Sequence, residues 1–305
     1  MLTEALLLDP DLSVRKGQAS VPAPAPGEVL VRVDWCGVCG CDLHAFGTGE
    51  GVGRWPATLG HEVAGTVAEC PGGELPEGSP VVLRPRARPQ PGGAAGHLVA
   101  GVGEVVACPD GLEPAIAVLA GPLAAATHAV SGIRWAGPPG LAAIFGYGPS
   151  GALVHLEIAR RWPEARVVVV EPGAAQGELA SAFGAEVVRE LAGRDVDVAV
   201  AAATAGYPGA LAGALAACRD EGTVLALGPS PDAASAALAG AAGRRVTLTV
   251  PAGCSGEPAG ALASLAAAPD RYRPVITDAI LLDEAPARLP RLLRSPSPGK
   301  VLIRP

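Results

Sequence analysis

Positive charge is scarce in this chain, and so is charge of any kind. Only 17% of the 305 residues are charged, and 23 Lys and Arg stand against 30 Asp and Glu, a net charge of -7 with a pI near 5.3. A broad nucleic-acid footprint needs a basic face, so no nucleic acid is expected as a partner and small-molecule chemistry is. No stretch offers the roughly 18 to 20 consecutive uncharged apolar residues of a membrane helix. The opening Met-Leu-Thr-Glu-Ala also lacks the basic start of a secretion signal. The expectation is a cytoplasmic protein with no membrane contact. Apolar content, by contrast, is ample: 49% of residues are hydrophobic, enough for the core of one large or two ordinary domains. The 41 Gly and 31 Pro are spread without a collagen-like period and predict many turns rather than disorder.

Cysteine is used unevenly. Of seven, Cys36, Cys39 and Cys41 fall within six residues, while Cys70, Cys108, Cys218 and Cys254 are scattered and read as small core residues. An odd number with one tight cluster suits metal chemistry better than a disulfide framework. The cluster lies in Trp-Cys-Gly-Val-Cys-Gly-Cys-Asp-Leu-His (35–44), and a Gly-rich turn with Trp55 and Pro56 leads from it to Leu-Gly-His-Glu (59–62). Cys and His hold a borderline-soft cation such as zinc, and a neighbouring carboxylate either binds the metal or orients a ligand. A redox role for the Cys36-x-x-Cys39 pair would want a βαβ setting, which is missing.

Around this stretch, short apolar runs at 5–8, 29–33, 63–67 and 81–83 are bounded by Pro and Gly clusters, which predicts an all-β, barrel-like domain. The pattern changes at 141–145, a buried strand that runs into Gly146-Tyr147-Gly148-Pro149-Ser150-Gly151 and a helix through about Arg161. A second strand, 166–170, ends in Glu171, twenty residues beyond the last glycine. Strand, Gly-rich turn, helix, strand and acid in that order are the fingerprint of a dinucleotide fold. Gly146 permits the tight turn, Gly148 lets backbone approach a pyrophosphate, and Gly151 allows close helix packing. Later runs at 196–200, 222–227 and 246–250 read as further parallel strands, with Ala-rich helices at 210–218 and 233–242 between them.

The run Gly37-Val38-Cys39-Gly40-Cys41-Asp42-Leu43-His44 followed by Gly60-His61-Glu62 and then by the dinucleotide fingerprint resembles the zinc-dependent medium-chain alcohol dehydrogenases over nearly the whole chain. That resemblance implies an α/β protein with a doubly wound Rossmann domain (121–274) and a β-rich GroES-like catalytic domain (1–120 and 275–305), the active cleft lying between them. It implies zinc ligands at Cys39 and His61, with Asp42 orienting the imidazole, and a proton relay through position 41 to His44. It also implies a homodimer formed through the dinucleotide domains.

Three departures from the family stand out. Cys41 replaces the Ser or Thr of the relay, and three readings of it stay open: a proton carrier, an extra zinc ligand, or the mark of a lost relay. Gly121 replaces a carboxylate that often serves the metal, which leaves Glu62 as the natural third ligand. No cysteine occurs from Arg84 to Gly93, where relatives with a structural zinc carry four. In that stretch Arg84 and Arg86 would share one face of a continuing strand and form a clamp for an anionic substrate, the other reading being a solvated loop. Glu171 would accept from the ribose hydroxyls and repel a 2′-phosphate, and no Arg or Lys follows from Pro172 to Ala180, so NAD is expected over NADP. The reading is an NAD-dependent oxidoreductase with one catalytic zinc, acting on a small alcohol or ketone. The alternatives are a zinc-free reductase of an activated double bond and a catalytically silent NAD-binding relative.

Overall fold

Two apolar patterns follow one another along the chain, and each becomes a different sheet. In the computed structural model, which describes residues 1–84, 92–135, 137–202, 209–228, 242–251 and 256–305, the short half-polar runs come first. They form β1 (Leu2–Leu8), β2 (Val14–Ser20), β3 (Glu28–Gly37), β4 (Ala57–Thr58), β5 (Glu62–Glu69), β6 (Pro80–Leu83), β7 (His97–Gly101) and β8 (Val105–Ala107). Helix α1 (Gly40–Thr48) interrupts them, and α2 (Pro114–Ala117) and α3 (Ala120–Ser131) follow. A second set of strands comes next, apolar through its central members: β9 (Leu141–Phe145), β10 (Arg166–Val170), β11 (Glu186–Val188), β12 (Val196–Ala201), β13 (Cys218–Ala226) and β14 (Thr247–Thr249). Helices α4 (Pro149–Arg161), α5 (Ala174–Ala182) and α6 (Ala210–Ala217) lie among them. The chain ends with α7 (Pro258–Ala267), α8 (Pro269–Tyr272), β15 (Ile276–Leu281), α9 (Ala285–Arg294) and β16 (Lys300–Arg304).

These elements divide into two units. The first holds Met1–Ala124, Gly256–Pro296 and Lys300–Pro305. Its seven-stranded sheet runs β15-β16-β3-β5-β6-β8 with β7 also on β3, and a three-stranded sheet runs β2-β1-β4. Val29, Val31 and Val33 of β3, Val63 and Val67 of β5, and Phe46 of α1 share one buried cluster with Leu289 of α9 and Ile303 of β16. The unit is β-rich but not all-β as the turn-rich sequence suggests, because α1, α7, α8 and α9 belong to it. Residues 256–274, counted with the dinucleotide domain in the sequence reading, pack in this first unit. Glu257 there pairs with Arg84 at 2.7 Å, and Arg273 with Glu113 at 2.8 Å.

The second unit holds Ala125–Ser255 and Ser297–Gly299. Its six strands are all parallel in the order β11-β10-β9-β12-β13-β14, the doubly wound order whose direction reverses between β9 and β12. Central strands covered on both faces must be apolar throughout, and Ala142, Ala143, Ile144, Val198, Ala199 and Val200 are all fully buried. The Ala-rich helix expected at 233–242 falls almost entirely outside the described residues. Against the expectation that no stretch would reach that length, one helical stretch among those residues, Pro114–Ser131, is long and apolar enough to cross a membrane, with mean hydropathy 1.4. Its 56% burial is that of a core helix.

The Gly-rich turn after β9 shows why its last glycine is needed. A Cβ on Gly151 would stand 2.5 Å from the carbonyl oxygen of Gly146, a backbone atom that cannot step aside. On Gly260, in α7, a Cβ would meet nothing within 4 Å. Gly151→Ala is therefore expected to destabilise the protein by about 1–3 kcal/mol. Gly260→Ala should stabilise by about 0.5–1 kcal/mol through the lower backbone entropy of the unfolded chain. Thermal midpoints moving in opposite directions would bear out both, and a Gly151→Ala protein as stable as the parent would show that the turn can relax.

Candidate metal centre and dinucleotide loop

Strand β3 delivers the chain to Cys36 and Gly37, and two residues later Cys39 takes extended backbone angles (φ -97°, ψ 157°) as the cap of α1. The helix then turns Cys41 and Asp42 back toward the start of β5. The opposite wall comes from Gly60, whose φ of +99° only glycine adopts easily. A Cβ there would also lie 2.4 Å from the Cys36 sulfur and 2.9 Å from the Ala94 nitrogen. His61 follows, buried to 7% exposure.

The donor atoms of Cys39, Cys41 and His61 all lie within 4.8 Å of one another. Cys41 Sγ is 3.5 Å from His61 Nε2, while His61 Nδ1 faces Asp42 Oδ1 at 3.4 Å. Zinc bonds of about 2.3 Å to sulfur and about 2.0–2.1 Å to nitrogen at a tetrahedral angle set S and N about 3.5 Å apart. Two thiols and an imidazole backed by a carboxylate also form a zinc-type donor set, so the residues present fit that ion. Asp42, buried itself, accepts from the Cys39 amide at 3.0 Å and from the Gly60 amide at 3.1 Å.

The cluster is strongly polarised even by itself. The hydrogen bond from the Cys41 thiol, opposed by burial and helped by His61, brings Cys39 well below the usual thiol range. Cys41, as the donor in that bond, is pushed far up. Burial disfavours a charged His61, but Asp42 and the Cys39 sulfur outweigh it and raise the imidazole to about 11.

The other expected site residues are dispersed. Glu62 is not in the donor cluster. Its Oε2 lies 2.5 Å from Lys300 Nζ, and both side chains are buried, at 8% and 3% exposure. Burial raises the Glu62 carboxyl against the pull of Lys300, while Lys300 is held above its ordinary value by Glu62 and Cys39 in spite of burial. A contact shorter than the usual N–H···O bond of about 2.9 Å is that of a charge-assisted pair, so we read it as ionised. Lys300 is a residue beside the site that sequence reasoning passed over. The available signal was its type, one of only two lysines in a chain that otherwise uses arginine, set at the start of an apolar strand. His44 is exposed and bonds through Nε2 to Glu50 at 2.9 Å, with no bond to Cys41 among the described residues. Arg84 is paired with Glu257, and Arg86 lies outside the described residues.

In the second unit, Gly146 (φ +93°) turns the chain out of β9 and Gly148 caps α4. A Cβ on Gly148 would meet nothing within 4 Å, so the backbone is open to a ligand there. Glu171 Oε2 accepts from the Tyr147 amide at 2.8 Å, and Oε1 accepts from the Gly173 amide at 2.7 Å. Each oxygen keeps a further lone pair for a ribose hydroxyl. Tyr147 is fully buried, and its hydroxyl lies 2.9 Å from His155 Nδ1 on α4. Glu171 opens onto a groove of about 450 Å³ lined also by Gly173, Gly177, Glu178, Ser181 and Arg189. Arg189 is a cation that local sequence did not associate with Glu171, since it follows β11.

Because Asp42 connects Cys39, Gly60 and His61, Asp42→Asn is expected to weaken zinc or cobalt binding about 10- to 100-fold. Competition with a chromophoric chelator measures this, and unchanged affinity would show that the carboxylate does not orient the ligands.

Residues 25–114 match the alcohol dehydrogenase GroES-like domain. L-galactonate-5-dehydrogenase of Escherichia coli (strain K12) is 30% identical over 186 residues, 53% of this chain and 54% of that protein. The chain spans about half the length of the curated relatives it matches. Among solved structures, 2R,3R-butanediol dehydrogenase from Bacillus subtilis superposes with a TM-score of 0.77 at 22% identity, covering 99% of each chain. Galactitol-1-phosphate dehydrogenase from Escherichia coli superposes with a TM-score of 0.78 at 20% identity, covering 99% of this chain and 100% of that one. Residues 25–114 thus belong to the alcohol dehydrogenase GroES-like domain family, and the whole chain shares the fold of these dehydrogenases.

Proposed function

We propose that this chain is an NAD-dependent oxidoreductase that interconverts a small alcohol and its ketone or aldehyde with one zinc ion. The observation that carries the reading is the convergence of Cys39, Cys41 and His61, with Asp42 behind the imidazole. When bound, zinc supplies a Lewis acid toward the substrate oxygen and the nicotinamide supplies a hydride acceptor. Cys39 and His61 are the two ligands that the sequence pattern marks, and Cys41 is the third donor in preference to Glu62, whose carboxylate is on Lys300. As a donor, Cys41 is withdrawn from the proton relay, and His44 is left as an exposed imidazole beside Glu50.

On the cofactor side, Glu171 accepts ribose hydroxyls and repels a 2′-phosphate. Arg189 in the same groove works the other way, but it is an exposed side chain while Glu171 is held by two backbone amides. The carboxylate therefore sets the preference for NAD. Relatives named for L-galactonate and galactitol 1-phosphate act on anionic substrates by their names, which supports an anionic polyol as substrate. Arg84 contributes less to that preference than its sequence suggests, because Glu257 already neutralises it. The homodimer implied by the resemblance is part of this proposal.

Purified protein should contain about one zinc per chain and form NADH with members of a polyol panel. Cys39→Ala or His61→Ala should abolish metal binding and lower turnover by at least about a hundredfold while NAD affinity stays within twofold. NADH oxidation with an activated double bond as acceptor, in protein stripped of metal and inactive on every alcohol, would favour the zinc-free reductase instead. Glu171→Ala should weaken NAD about tenfold, as the loss of one charge-assisted bond does, and shift discrimination toward NADP. An unchanged ratio of the two dissociation constants would remove Glu171 from cofactor choice.

A further inference from the structure

We infer that Lys300 is a positioning residue that selects the third donor of the metal centre. By holding the Glu62 carboxylate it keeps an oxygen ligand out of the site and leaves the Cys41 thiolate to complete the set with Cys39 and His61. The inference rests on the metal reading above and goes beyond it by naming the device that makes the centre rich in sulfur.

The device spans three adjacent strands. Lys300 opens β16, Gly37 closes β3 and Glu62 opens β5, and the strand order is β16-β3-β5. Gly37 is registered with Glu62 on one side and with Leu302 on the other. The middle residue carries no side chain, and the space is filled from its neighbours: a Cβ on Gly37 would lie 2.4 Å from Glu62 Oε2 and 2.9 Å from Val118. Over that glycine the lysine meets the carboxylate, and its ammonium is fixed a second time by donating to the Val38 carbonyl at 3.2 Å. Val38 directly precedes Cys39, so the same ammonium anchors the backbone from which that ligand projects.

Glu62 directly follows His61 and is the carboxylate next to that ligand in the chain. It is kept out of the site because swinging over would leave the Lys300 ammonium buried without its counter-charge, and an unpaired charge in a desolvated niche is strongly disfavoured. The thiol of Cys41 has no such tie. It is exposed on the first turn of α1 and already 3.5 Å from His61 Nε2.

The test uses cobalt(II) in place of zinc, because thiolate-to-cobalt charge transfer in the near ultraviolet reports the number of sulfur ligands independently of activity. The parent protein should show a band of two-thiolate intensity, and Cys41→Ser should halve it. Lys300→Met should lower the band toward one-thiolate intensity as the freed Glu62 displaces Cys41, and Lys300→Arg should restore it. Where Lys300→Met alone does not fold, Lys300→Gln, uncharged but still a hydrogen-bond donor, should show the same lowered band, and adding Glu62→Gln to either should bring the full band back; an unchanged band in folded Lys300→Gln would equally overturn the inference. Glu62→Gln should retain two thiolates. A folded Lys300→Met protein with the parent spectrum, or a Glu62→Gln protein that loses a ligand, would overturn the inference. A parent protein that takes up cobalt with a one-thiolate band would overturn it while leaving a metal centre in place. A parent that binds no cobalt at all would instead overturn the metal reading beneath it.

Discussion

A single buried carboxylate holds the candidate metal centre in shape. Asp42 accepts from the Cys39 amide at the cap of α1 and from the Gly60 amide at the turn before β5, and it faces the ring of His61. Its contacts tie together the beginning of a helix, a left-handed turn and an imidazole. Removing it would release all three, since none of these segments has regular sheet pairing of its own at that point. The positive φ of Gly60 and its close approach to the Cys36 sulfur make the turn equally intolerant of a side chain.

Behind this hub lies a second electrostatic layer. The Glu62–Lys300 pair is shielded from water, so neither charge is stable without the other. The last strand of the chain is thereby bound to the site chemically as well as by sheet hydrogen bonds. Lys300 lies 238 residues from Glu62, and its position depends on β16 entering the sheet beside β3.

The dinucleotide loop is built on the same logic in a separate unit. Glu171 is held by the amides of Tyr147 and Gly173, and Tyr147 is in turn fixed to His155 within α4. Strand end, Gly-rich turn and helix thus form one hydrogen-bonded piece, which fixes the carboxylate within the fold itself, as the proposed cofactor role requires. Such preorganisation lowers the entropy that binding must overcome.

By itself the sequence determined whatever depends on neighbours along the chain. The strands Leu141–Phe145 and Arg166–Val170 were legible to the residue because a doubly covered parallel strand reads as a nearly continuous apolar run, polar only at its end as at Arg166. Helix α4 was legible because Gly, Pro and the apolar face mark its start locally. Asp42 could be read as a companion of Cys39 and His61 because their spacing is a family pattern. The tertiary structure alone decided which groups meet across the fold. Cys41 turned toward His61 while Glu62 turned to Lys300, although all lie in or beside one motif. Arg84 met Glu257, 173 residues away, and Arg189 joined the groove of Glu171 from the end of another strand. Each of these outcomes follows from strand order and packing, and a charge finds its partner by distance in space, which local periodicity does not encode.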